Sequence, residues 1–211
     1  MRKAVIVSNG SVNTKYLYSF ISKGDFLIAA DGGANKLLKT KFVPNLIIGD
    51  MDSISKNALK KFRNSKIEKF PREKPFIDLE LAVNYCIENK FDEIVILGAL
   101  GTRADMTFAN IFLLSQIPEK INAKAINENQ EIFLIRKKNF SIEGIPGETI
   151  SFLAINGNVT GLTLKGFKYP LSNHSLVFGI GLGISNEFKN KKASISFKDG
   201  LLLCVHFRKW F

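Results

Sequence analysis

Residues 26–55 read FLIAADGGANKLLKTKFVPNLIIGDMDSIS. Two short apolar runs, FLIAA and LIIG, each stop at an aspartate, Asp31 and Asp50. Unbroken apolar runs of this length fit strands buried on both faces, as in a parallel sheet. Glycines follow Asp31, and Met51, Asp52 and Ser53 follow Asp50, so polar and flexible residues gather where each strand gives out. The pattern recurs on either side, in KAVIVS at 3–8 and EIVIL at 93–97. Between these strands, residues 16–21 have helical character and Ser55 is placed to cap a helix running to Phe62. Leu79, Ala82, Val83, Cys86 and Ile87 make an i, i+3, i+4, i+7, i+8 stripe, with Asp78 placed as its cap. A second stripe falls at Met106, Ala109, Leu113 and Leu114. Strands alternating with helices imply an α/β domain, a parallel sheet with helices on both faces.

The rhythm changes between residues 118 and 127. Beyond Asn127 there are only short strand-like runs, at 131–135, 149–155, 159–164, 176–182, 193–197 and 201–207. Pro146-Gly147, Asn156-Gly157 and Asp199-Gly200 punctuate them, the last expected as a hairpin turn. This half reads as an all-β sandwich or partial barrel. The expected domains are residues 1–126 and 127–211.

The chain has 211 residues, 45% of them apolar and 23% charged, which is an ordinary globular composition. No run of 18 apolar residues occurs, and the apolar stretch after the N-terminal Met-Arg-Lys is too short for a signal peptide. A cytoplasmic protein without membrane association is expected. The net charge of +11 is spread along the chain: residues 1–126 hold 19 Lys+Arg against 13 Asp+Glu, and residues 127–211 hold 11 against 6. That spread reads as a lysine-rich solvated surface and not a nucleic-acid patch. Cys86 and Cys204 are read as core, and His174 and His206 as structural.

In open α/β sheets ligands sit beyond the carboxyl ends of the strands. Asp31, Asp50 and Asp52 lie there. Carboxylates so close repel one another unless a cation lies between them, and an all-oxygen set suits Mg²⁺ shared with substrate phosphates. Asp78 fits either a helix cap or a fourth carboxylate of the same cleft. After the strand at 93–97 comes GALGTRAD, whose glycines free backbone N–H groups for phosphate and whose Arg103 offers a fork-shaped cation. Asp105 follows at the start of a helix. Neither GxxxxGK[ST] nor GxGxxG is present. These residues point to a Mg²⁺-dependent enzyme acting on a phosphorylated substrate, with the acceptor unspecified.

The ordered set DGGAN (31–35), PNLIIGDMDSI (44–54), DLELA (78–82), GALGTRADMTFANIFLL (98–114), VTGLTLKGFKYPL (159–171) and GISNEF (183–188) resembles the thiamine pyrophosphokinase family across most of the chain. The resemblance implies pyrophosphoryl transfer from ATP to thiamine, giving thiamine diphosphate and AMP, by a homodimer with its sites at the subunit interface. It implies an N-terminal ATP- and Mg²⁺-binding catalytic domain and a C-terminal domain for thiamine binding and dimerisation. It makes Asp31, Asp50, Asp52 and Asp78 the metal and polyphosphate set. It places Arg103 and Asp105 at the ATP and reacting centre, with Asp78 or Asp105 orienting the thiamine hydroxyl. Ser185, Asn186 and Phe188 of the other subunit would hold thiamine, with Phe188 stacking on the aminopyrimidine. The chain departs from the family pattern where an acidic residue and a threonine precede the aspartate: it has Pro75-Phe76-Ile77-Asp78, and Met106 stands where bacterial members commonly have His. Two other readings use the same residues: a pyrophosphokinase for another heteroaromatic alcohol such as a hydroxymethylpterin, and a catalytically decayed thiamine- or nucleotide-binding protein.

Overall fold

The computed structural model describes residues 1–209. The chain divides into two compact units, the first Met1–Glu128 and the second beginning at Asn129.

The first unit runs β1 (Lys3–Val7), α1 (Thr14–Phe20), β2 (Phe26–Ala30), α2 (Gly33–Lys36), β3 (Leu46–Gly49), α3 (Lys56–Lys61), β4 (Lys66–Lys69), α4 (Asp78–Glu88), β5 (Glu93–Leu97), α5 (Ala104–Leu113) and β6 (Asn122–Asn127). Its strands lie in the order β6-β5-β1-β2-β3-β4, and every pairing is parallel. Ala4, Val5, Ile6 and Val7 are all buried although successive side chains point to opposite faces, so both faces of the sheet are covered. The chain leaves β1 toward β2, β3 and β4, then returns to place β5 on its other side. The loops after β1 and β5 therefore part at the centre of the sheet, where doubly wound folds open a crevice.

The stripe on α4 holds, with Leu79, Ala82, Val83 and Cys86 buried. The second stripe holds at its C-terminal end, where Leu113 and Leu114 are buried, is half-buried at Met106, and fails at Ala109. Ala109 is exposed and Asn110 is buried, while Phe108 and Phe112 stand 59% and 54% exposed with their rings stacked at 6.3 Å. Ser55 caps α3 as its sequence implies, accepting the Ala58 N–H at 3.2 Å. Asp78 is no cap: Ile77 holds that position, and Asp78 is the first residue of α4.

The second unit consists of β7 (Gln130–Ile135), β8 (Asn139–Glu143), β9 (Thr149–Ala154), β10 (Val159–Lys165), β11 (Leu171–Leu176), β12 (Asn186–Glu187), β13 (Lys192–Ser196) and β14 (Leu202–Phe207). Strands β12-β9-β14-β7 and β11-β10-β13-β8 form two antiparallel layers. Phe152 and Cys204 from one layer share a core with Leu162, Leu164 and Ile195 from the other. This is a sandwich. Two expectations fail in it. Asp199-Gly200 is not a hairpin, because β13 and β14 belong to different layers and the turn crosses between them. The run 176–182 is not a strand. The strand ends at Leu176, and Val177, Phe178, Ile180, Leu182 and Ile184 follow in a loop, each 45–59% exposed.

Candidate active site

The strand ends of the first unit surround a cavity of about 490 Å³. Its walls come from the loops after β1, β2, β3 and β5 and from the N-terminus of α4. Asp31 follows β2 in the left-handed region, at φ +41°, and is 4% exposed. Asp50 follows β3, and Met51 beside it also takes positive φ, at +69°. Non-glycine residues in this sparsely populated backbone region mark both loops as held by their surroundings. Asn35 of α2 does part of the holding: it donates to Ser53 O at 2.8 Å and accepts the Ser55 N–H at 2.9 Å. Gly49 must be glycine. Its φ is +146°, and a Cβ there would come within 2.9 Å of both Asp31 Cβ and Asp78 Oδ1.

One carboxylate oxygen from each of Asp31, Asp50 and Asp78 lies within 4.8 Å of the others. Asp31 Oδ2 accepts the Ser53 N–H at 3.2 Å, while its buried Oδ1 has no hydrogen-bond partner among the described residues. Burial raises the Asp31 pKa, and the Asp78 charge raises it further. The pKa of Asp50 is lowered, chiefly because its Oδ1 accepts the Asp52 N–H at 3.0 Å, with Lys74 adding to the effect.

Lys74, on the loop before α4, was not singled out by the sequence reading. Its Nζ lies 2.9 Å from Asp78 Oδ1 and 3.7 Å from Asp50 Oδ2, and its side chain is 9% exposed. The contact to Asp78 is an ion pair across three intervening residues. Burial works against the Lys74 charge, yet Asp78 and Asp50 outweigh it and the pKa is raised.

The other acidic residues stand apart from these three. Asp52 borders the cavity with its side chain 44% exposed, accepts from Ser53 Oγ at 2.8 Å and faces Arg72 Nε at 3.7 Å. Arg103 also borders the cavity, its guanidinium paired with Asp105, and both side chains are mostly exposed. Asn110 of α5 borders it too, donating to Ala99 O at 2.6 Å.

An all-oxygen set with a buried, unpartnered carboxylate oxygen fits a hard divalent cation. The donors around it, Arg103 and the glycine-rich loop after β5, fit phosphate oxygens.

In the second unit, Ser185 takes φ +58° and donates its N–H to Ser151 Oγ at 3.0 Å. Asn186 is 4% exposed, and its amide is spent on backbone: Oδ1 accepts the Tyr169 and Glu187 N–H groups, and Nδ2 donates to Tyr169 O. The expected stacking role of Phe188 meets a physical obstacle. Its ring is 2% exposed, stacked on His206 at 4.8 Å and tilted against Phe167 at 5.2 Å, so no face is open to a ligand. Tyr169, pinned through its backbone by Asn186, is 55% exposed instead, with Lys168 Nζ 5.5 Å from its ring centroid. Ser185 borders a cavity of about 400 Å³ with Ser151 and Glu148.

Two family profiles match the chain. "Thiamin pyrophosphokinase, catalytic domain" covers residues 17–126, and "Thiamin pyrophosphokinase, vitamin B1 binding domain" covers residues 135–202. Thiamine pyrophosphokinase of Bacillus subtilis is 30% identical over 210 residues, spanning 97% of this chain and 98% of that protein. Thiamin pyrophosphokinase 1 of Caenorhabditis elegans is 27% identical over 90% of this chain and 82% of its own. The crystal structure of the Bacillus subtilis enzyme superposes with a TM-score of 0.88 at 28% identity, over 99% of this chain and 100% of that one. Full-length similarity in sequence and fold, with both domain profiles in order, places the chain in the thiamin pyrophosphokinase family, enzymes that transfer the pyrophosphoryl group of ATP to thiamine.

Proposed function

We propose that the acidic cleft of the first unit carries this reaction, with ATP and Mg²⁺ entering together and thiamine diphosphate and AMP leaving. The observation that carries the proposal is the convergence of Asp31, Asp50 and Asp78 within 4.8 Å around a buried, unpartnered oxygen at the sheet's carboxyl edge. Mg²⁺ held by these three aspartates supplies charge neutralisation on the ATP phosphates. Pyrophosphoryl transfer is mostly positioning and electrostatics, and the rest of the cleft serves both. Arg103 turns from Asp105 toward the polyphosphate, and the N–H groups of the loop after β5 meet phosphate oxygens. The thiamine hydroxyl gives its proton to Asp78, which lines the cleft, or to Asp105 beside Arg103, as its oxygen attacks the β-phosphorus and AMP departs.

A second copy of the chain supplies the thiamine-holding segment around Ser185 and Asn186. Two exposed apolar surfaces support a dimer. One is the loop of Val177, Phe178, Ile180, Leu182 and Ile184, and the other is the Phe108–Phe112 face of α5. Apolar clusters of this kind are usual at subunit contacts. Ser185 lends its hydroxyl and Tyr169 its ring, with Asn186 and Phe188 fixing the segment from behind. No helix among the described residues is long and apolar enough to cross a membrane, and the enzyme is proposed to work in the cytoplasm.

Product analysis tests the reaction. Protein incubated with thiamine, ATP and Mg²⁺ is expected to yield AMP and thiamine diphosphate one for one. ADP with thiamine monophosphate would overturn the reaction class. A pterin product with none from thiamine would move the acceptor.

A further inference from the structure

Lys74, held against two aspartates of the cleft, has no part in the reaction as described. Lysine is rarely buried, and an ion pair on an exposed surface contributes little, so a lysine held at 9% exposure by two aspartates calls for a reason. Its ammonium lies 2.9 Å from Asp78 and 3.7 Å from Asp50, two of the three carboxylates that converge. Three carboxylates and one ammonium leave a charge of −2. The nearby Asp52–Arg72 pair is neutral and exposed, so it does not alter that balance. Only Pro75, Phe76 and Ile77 separate Lys74 from Asp78, the first residue of α4.

We infer that Lys74 is a built-in counter-cation of the acidic cleft: it neutralises the carboxylates while no metal is bound, weakens their hold on a bare divalent ion, and passes to the polyphosphate when metal and nucleotide arrive together. The inference rests on the reading that Asp31, Asp50 and Asp78 hold the divalent ion of an ATP site. A cation 2.9 Å from Asp78 repels an incoming divalent ion at the same oxygens. Arriving with a polyphosphate, the metal brings anionic oxygens that give the ammonium a new partner. The side chain therefore couples metal binding to nucleotide binding, and Lys74 acts as a positioning residue that favours the metal–nucleotide complex over metal alone.

The test is equilibrium binding to the full chain, without turnover. Mn²⁺ is titrated with electron paramagnetic resonance detection of the free ion, first alone and then as its preformed ATP complex in the absence of thiamine. Lys74→Met is expected to bind bare Mn²⁺ at least tenfold more tightly than the unaltered protein and the Mn·ATP complex at least fivefold more weakly. Lys74→Arg, which keeps the charge, is expected to stay within about threefold of the unaltered protein for both. Opposite signs are the signature, since a lysine that only shapes the loop would weaken both on removal. Bare Mn²⁺ binding to Lys74→Met that is unchanged or weaker would overturn the inference, as would tighter Mn·ATP binding. Circular dichroism and a thermal melt establish that both variants are folded. Because no product is read, failure here stays separate from failure of the pyrophosphoryl-transfer reading, which product analysis decides.

Discussion

Each unit buries a carboxylate, and the two are treated in opposite ways. Asp31 of the first unit is 4% exposed, keeps one oxygen without a hydrogen bond, and has its pKa raised by burial. Glu148 of the second unit is 2% exposed, yet both of its oxygens are used. Oε1 accepts the Lys209 N–H at 2.8 Å, and Oε2 meets the Ile145 N–H and His206 Nε2, each at 2.9 Å. Burial pushes Glu148 up as well, but these donors outweigh it and its pKa is lowered. Burial alone therefore does not separate the two: Asp31 keeps an unpartnered oxygen, and Glu148 does not. An unsatisfied buried anion costs stability and persists where a ligand completes it, whereas a satisfied one holds the fold.

Substitution at the two sites gives the largest effects and the sharpest contrast. Asp31→Asn, Asp50→Asn and Asp78→Asn are each expected to lower kcat by on the order of 10²–10³, the size of loss seen when a preorganised charge-stabilising group is removed. Asp31→Asn is also expected to raise the melting temperature of the metal-free protein, because a buried charge is gone. Glu148→Ala strands three donors and is expected to destabilise by about 3 kcal/mol, read from urea unfolding. Should Asp31→Asn prove destabilising and Glu148→Ala neutral, the distinction drawn between the two carboxylates would fall.

Acid separates them next. The His206 pKa is lowered, first by burial and then by the Arg208 charge. On acidification the unfolded chain takes up this proton near pH 6.5 and the folded chain does not, so stability is lost from about pH 6.5 downward. Glu148 adds to the loss: its contribution is complete above its unfolded pKa, near 4.5, and disappears as pH falls through the lowered folded value. Asp31 has the opposite sign. With its folded pKa raised above its unfolded value, its contribution is present at low pH and lost as pH rises through the folded value. Melts of metal-free protein between pH 7.5 and 5 are expected to show stability falling with acid, and His206→Asn is expected to flatten that slope. An unchanged slope would remove His206 as its source.

The sheet of the first unit was legible because its central strands are solidly apolar and end in aspartate or glycine, as at FLIAAD and LIIGD. Strands β4 and β6, KIEK and NAKAIN, carry polar residues and lack that signal, and β8 (NFSIE) likewise. The run 176–182 misled because its apolar residues, spaced by glycines, imitate a strand while the backbone finds no ladder partner. The α5 stripe was right at Leu113 and Leu114 and misled at Ala109, because Asn110 turns inward in the middle of the helix while Phe108 and Phe112 face solvent. Asp31, Asp50 and Asp78 were recoverable from their places at strand and helix ends. Lys74 and the Glu148–His206 contact were not, since one lies on an irregular loop and the other joins residues 58 apart in sequence. No periodicity records a loop lysine's choice of partner or a pairing across two strands.

The smallest expected effect concerns Asp52, which the family resemblance puts with the metal set and the structure sets apart. Its side chain is 44% exposed, paired with Arg72 at 3.7 Å and with Ser53 Oγ at 2.8 Å, and it is not among the three carboxylates that converge. An exposed pair at that distance contributes at most a few tenths of a kcal/mol, so Asp52→Asn is expected to leave the melting temperature within about 1 °C. Its position at the cavity wall still lets it reach solvent-side groups of a bound metal–nucleotide complex. The expected result is a fall in kcat of about tenfold or less, with a rise in KM for ATP. A loss equal to that of Asp50→Asn would mean that the loop 50–53 turns on loading to bring Asp52 into the metal set. The backbone makes that turn costly, because Met51 sits at φ +69° and Asn35 clamps Ser53 and Ser55 on the far side of the loop. Asn35→Ala would then be expected to move the kcat of the unaltered loop and leave that of Asp52→Asn nearly unchanged.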